Sequence, residues 1–107
     1  MLKRIMKKFL LFEHDKDKNS LELFYVFNGK SIDSLHKAIV WEVKKDIYLI
    51  PEYSSCYVHV SLGIPESHKT FIEYEVLGFI YPPYHKTIIK SYVIREIIDA
   101  QYYKHKS

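Results

Sequence analysis

The sequence predicts an α+β fold, an antiparallel sheet of about five strands carrying two helices in the order ββαβββα. Three observations carry this reading. Two aromatic-rich runs flank a polar turn near the start, apolar residues recur at helical spacing from Ile32, and a second pair of alternating runs follows Cys56.

The first pair is Lys7 to Glu13 and Leu21 to Phe27 around His14-Asp-Lys-Asp-Lys-Asn-Ser20, which predicts a hairpin. Asn28-Gly29 stops its second strand. Ile32, Leu35, Ile39, Val43 and Ile47 then mark one helix face. Ser31 or Asp33 caps it, and the cations Lys44 and Lys45 place its end nearby. Ile47 to Ile50 reads as a short strand that Pro51 confines to an edge or an end.

A second hairpin is expected from Cys56 to Leu62 and Phe71 to Tyr81, around Gly63 to Thr70. Pairing Val58 with Val76, Val60 with Tyr74 and Leu62 with Ile72 puts apolar residues on one face. The other face then holds His59 beside Glu75 and Ser61 beside Glu73. The apolar phase flips past Val76, and Gly78 at the flip predicts a bulge. Pro82-Pro83 closes the strand region, and Thr87 to about Tyr103 reads as a terminal helix before the basic tail Lys104-His105-Lys106. The β-branched stretch Thr87 to Ile94 also fits a strand opening.

At 107 residues there is room for one core, so residues 1–107 are expected to form one domain, with 1–6 as a disordered basic leader. Read as a helix, that leader would set Leu2, Ile5, Met6 and Phe9 against Lys3, Arg4, Lys7 and Lys8, but it is short for a membrane-surface peptide. Its apolar part is also too brief for a cleaved signal, and Met6 is an equally good start. The lone Cys56 excludes an internal disulfide and a cysteine-based zinc knuckle, which fits a reducing, cytoplasmic setting. No apolar run reaches the roughly 18 residues of a membrane span. Net charge is +3, and only Arg4 and Arg95 among the 16 cations are arginines, a poor endowment for reading specific nucleic-acid bases.

Asn, Gln, Cys and Met are sparse while Ile and Tyr are abundant. In this the composition resembles the small orphan proteins of hyperthermophilic archaea and their viruses. The resemblance implies thermostability and transfers no functional residue.

No motif names a chemistry. Asp15, Asp17 and Asn19 begin like a calcium loop, but Ser20 and Val26 stand where such a loop needs Gly and Glu. His14, His36, His59, His68, His85 and His105 are scattered without ligand spacing, and there is no GxSxG or phosphate-cradling glycine run. No cofactor and no metal are therefore expected. His59 with Glu73 and Glu75 is the best acid-base candidate.

Two surfaces stand out. Trp41 projects from the first helix among Lys37, Lys44 and Lys45, with Glu42 near the buried stripe. On the terminal helix Ile89, Tyr92, Val93, Ile97 and Tyr103 form one stripe, and Ile94 and Ile98 widen it beyond what one sheet face can cover. Trp41, Ile94, Ile98 and Tyr102 are thus the expected interface. The function expected is a small non-enzymatic protein-interaction domain, homodimeric and with an unidentified protein partner. A non-specific nucleic-acid binder using Lys37, Trp41, Lys44 and Lys45 is the first alternative. A small enzyme using His59 and Glu75 is the second.

Overall fold

The computed structural model describes residues 6–81 and 87–98. Among them lie one antiparallel six-stranded sheet and one α-helix. In chain order these are β1 (Lys7–Asp15), β2 (Ser20–Gly29), α1 (Ile32–Tyr48), a 3-10 turn (Pro51–Tyr53), β3 (Val58–Leu62), β4 (Glu66–Ser67), β5 (Phe71–Ile80) and β6 (Thr87–Ile97). Across the sheet the order is β2-β1-β6-β5-β3, with β4 also paired to β5. The α+β, antiparallel architecture is as the sequence predicts. The strand number, the helix number and the element order differ from ββαβββα.

The largest difference is the terminal helix. Thr87–Ile97 is the strand β6, inserted between β1 and β5. Its β-branched residues favour extended backbone, and alternation places Tyr92 and Ile94 beneath α1 with no exposed surface. Residues 1–5, Pro82-Pro83, Tyr102, Tyr103 and the basic tail lie outside the described residues.

The expected strand at Ile47 to Ile50 is absent, because α1 continues to Tyr48. Ile47 keeps the helical step set by Ile39 and Val43, and all three are fully buried. At the other end Ser31 and Ser34 cap the helix reciprocally. The Ser31 hydroxyl accepts from the Ser34 N–H at 3.1 Å, and the Ser34 hydroxyl accepts from the Ser31 N–H at 3.2 Å.

In the first hairpin Asp15 Oδ1 accepts from the N–H groups of Asp17 and Lys18 at 3.0 and 3.2 Å. That is an Asx turn, so the acidic turn residues serve the backbone. The second hairpin keeps the expected faces in a different register. Val58 pairs Ile80, His59 pairs Phe79 and Leu62 pairs Val76, an even slip that preserves which side chains point inward. The slip arises because β4 takes up the edge beside Ile72 and Glu73, and the turn closes tightly with the His68 N–H donating to the Phe71 carbonyl at 2.8 Å. Ladder β5–β6 shifts register between Gly78 and Phe79, but the extra residue is Ile89 of β6, and β5 runs unshifted against β3, so the bulge and phase flip expected at Gly78 are not in β5. Gly78 lets the helix approach, since a Cβ there would lie 2.5 Å from Ile47 Cδ1.

The main core joins Ile39, Val43 and Ile47 to Phe9, Leu11, Phe27, Val58, Val60, Val76, Tyr92 and Ile94. The opposite sheet face has its own buried set, Leu10, Phe12, Phe79 and Val93. Arg95 spreads over it, its guanidinium 5.4 Å from the Phe12 ring centroid and 4.4 Å from that of Phe71.

Candidate interaction surface

The two edges of the sheet are built differently. On one side the edge is made of β3 and then β4, short strands separated by Gly63-Ile64-Pro65. Short edge strands and proline discourage pairing with another chain. On the other side lies β2, ten residues long and, among the described strands, paired only with β1. It contains no Lys or Pro, and Glu22 is its single charge.

Four consecutive apolar residues of β2 are exposed: Leu23 at 48%, Phe24 at 36%, Tyr25 at 41% and Val26 at 40%. The β1–β2 ladder shifts between Leu11 and Phe12, and Phe24 is the extra residue, since Leu11 pairs Tyr25 and Phe12 pairs Leu23. Phe24 and Tyr25 thereby share the helix-bearing face, where Phe24 meets the Tyr92 ring at 5.7 Å and Tyr25 meets Phe27 at 4.6 Å. Leu23 and Val26 fall on the opposite face. The edge is apolar on both sides.

Beside it, Phe24, Trp41, Tyr48 and Leu49 line a shallow groove of about 450 Å³ together with Glu42, Lys45 and Asp46. Trp41 is 61% exposed. Lys45 lies 5.8 Å from the Trp41 ring centroid and is also paired with Glu42 at 3.1 Å. Lys37 is exposed and Lys44 half-buried, and Glu42 and Asp46 interrupt the basic face around Trp41.

A polar clamp holds this end of α1 on the sheet. Tyr92 OH donates to Asp46 Oδ2 at 2.7 Å, and Lys90 Nζ lies 2.8 Å from the same oxygen and 3.2 Å from Glu13 Oε1. Burial alone would lower the Lys90 pKa, but Asp46 and Glu13 outweigh it and the net shift is upward. Burial, then the hydrogen bond to Asp46, raises the Tyr92 phenol above its ordinary range, so the hydroxyl stays protonated. At the other end of the sheet, the buried Glu96 accepts from Lys7 at 3.1 Å and from Tyr74 at 3.4 Å. Burial and Glu96 raise the Tyr74 pKa.

The structure does not assemble the expected acid-base trio. His59 stands opposite Phe79, with ring contacts at 6.2 Å to Phe79 and Tyr81. Glu75 pairs Val93 in the ladder and reaches Lys16 at 3.9 Å, while Glu73 pairs Arg95 at 2.9 Å. Ile94 is a core residue with no exposed surface, which removes it from the interface. Ile98 is 51% exposed at the end of β6. Sequence reasoning missed the β2 edge and the Asp46 clamp. An aromatic run without a charge at its centre was the available signal for the first.

No described helix is long and apolar enough to cross a membrane. Comparison with protein families, with curated proteins and with solved structures finds no match to the chain.

Proposed function

We propose that the protein is a small, non-enzymatic interaction domain that self-associates, two copies joining their β2 edges into one continuous antiparallel sheet. The observation that supports this most is the long β2 edge, which carries the Phe24 bulge but neither Lys nor Pro. An edge of this length, apolar on both faces and free of Lys and Pro, is the kind that pairs with another strand. Pairing satisfies the outward backbone groups and removes Leu23, Phe24, Tyr25 and Val26 from water. A second copy is the natural occupant because antiparallel pairing of identical strands closes on itself about a two-fold axis. Phe24 carries the apolar edge into the groove with Trp41, which would place Trp41 at the rim of the interface.

Light scattering should give twice the 12.8 kDa chain mass. The double variant Leu23→Lys, Val26→Lys changes exposed side chains, so it should fold, keep its far-ultraviolet dichroism and run as a monomer. A wild-type monomer at high micromolar concentration overturns the reading. A dimer that survives the lysines and is lost in Ile98→Glu moves the interface to the end of β6.

Non-specific nucleic-acid binding is the second reading, and exposed Trp41 beside Lys45 favours it. Weighing against it, Lys45 is paired with Glu42, and Asp46 lines the same groove.

A further inference from the structure

We infer that Glu66, His68 and Glu73 form a binding site for one divalent transition-metal ion of zinc type, on the sheet edge opposite β2. Glu66 and Glu73 are direct cross-strand partners in the β4–β5 ladder. Like charges placed opposite one another in a ladder are destabilising; Arg95 offsets Glu73, and a divalent cation would bridge both carboxylates.

The third donor is fixed in place by local structure. The tight turn from His68 to Phe71 returns the chain, and the His68 ring stacks on Phe71 with centroids 4.5 Å apart and planes 25° apart. That directs Nε2 to within 2.9 Å of Glu66 Oε1. One ligand atom from each of the three residues lies within 4.8 Å of the others. Ligands around a tetrahedral zinc ion sit about 3.3 Å apart, from bond lengths of roughly 2.0–2.2 Å. Small movements of the exposed Glu66 and His68 side-chain ends toward the half-buried Glu73 would close that gap.

The donor set selects the ion. One imidazole nitrogen with two carboxylates suits zinc and its borderline neighbours, whereas calcium takes about six to eight oxygens. Arg95 is the opposing charge. Its Nε holds Glu73 Oε1 at 2.9 Å, so an ion competes with the guanidinium for that carboxylate. With three protein ligands, the remaining coordination falls to water.

The test is calorimetric titration of the full chain with Zn²⁺ in a non-coordinating buffer, with Co²⁺ absorption as a spectroscopic readout of coordination. One ion per chain is expected. Loss of a ligand in His68→Ala or Glu66→Gln should weaken binding by at least the roughly 10–100-fold that loss of a supporting group costs. His59→Ala, on the neighbouring edge strand, should bind as wild type does. Dichroism of each variant checks folding, and β2-dependent dimerisation is measured separately. No saturable binding in the submillimolar range overturns the inference, as does binding that survives His68→Ala and Glu66→Gln.

Discussion

Ile47→Ala should destabilise the protein by about 2–5 kcal/mol, the usual cost of emptying a fully buried isoleucine site. The upper half of that range is expected, because of what faces Ile47. Its Cδ1 occupies the space that a Cβ on Gly78 would enter, 2.5 Å away by construction. The sheet therefore has no side chain at that point to relax into the cavity, and Asp46 anchors the adjacent helix backbone. Chemical denaturation reads the loss as a lower midpoint with an unchanged slope. Leu49→Ala, two residues on and 79% exposed, should be near neutral. The pair also predicts a reversal. Gly78→Ala alone overpacks against Ile47 and should cost stability, by about 1–3 kcal/mol. In the Ile47→Ala background the same methyl enters vacated space and should recover part of the loss. Additive effects in that double-mutant cycle would show that the helix does not rest on Gly78.

Asp46→Asn should cost about 1–3 kcal/mol at neutral pH, since it weakens the hydrogen bond from Tyr92 and the pairing with Lys90. It should also change how stability responds to alkali. Lys90 and Tyr92 both have folded-state pKa values raised above their ordinary 10.5 and 10.0. Each therefore holds its proton more tightly when folded. Their contributions are fully present below those ordinary values and are lost as the pH climbs from there through the folded-state values. Wild-type stability should thus be level through neutral pH and fall above about pH 10, where the unfolded chain binds fewer protons. In Asp46→Asn that decline should be shallower, with Lys90 left only Glu13 and Tyr92 raised by burial without the carboxylate. Thermal melts between pH 7 and 11 measure it, and Tyr92→Phe isolates the phenol. An unchanged alkaline slope in Asp46→Asn would sink the account.

How much of this was legible in the sequence follows from periodicity. The first hairpin and the start of α1 were legible because each has one dominant period: two in Phe9 and Leu11, and three to four in Ile32, Leu35 and Ile39. Thr87 to Ile97 has both. Ile89, Val93 and Ile97 satisfy a helical step while Tyr92 and Ile94 satisfy a strand step, and insertion between two strands decides the matter. The surplus apolar surface that pointed to an interface on a helix is the surface a central strand buries on both faces. Register was illegible for another reason. An even slip of β3 along β5 leaves Val58, Val60, Leu62, Tyr74 and Val76 facing inward, so patterning cannot distinguish the two pairings. The cluster of Glu66, His68 and Glu73 was hidden by the same slip, because Gly63 to Thr70 reads as a loop and only β4 brings it opposite Glu73.

The strand order has a consequence for how the chain reaches this state. The first and last of the described strands, β1 and β6, are hydrogen-bonded neighbours, Phe9 beside Glu96, and β6 is also the bridge to β5. During synthesis, β1–β2 and the β3–β5 hairpin emerge as two separate pieces with apolar edges facing an unfilled slot. Among the described strands β6 alone pairs with both pieces, while α1 packs against both from one face. Closure of so long a loop is slow, so pairing of β1 with β6 is expected to come late in folding. A nascent chain shorter by that strand carries most of the core residues without the strand that hydrogen-bonds its two sheet pieces together.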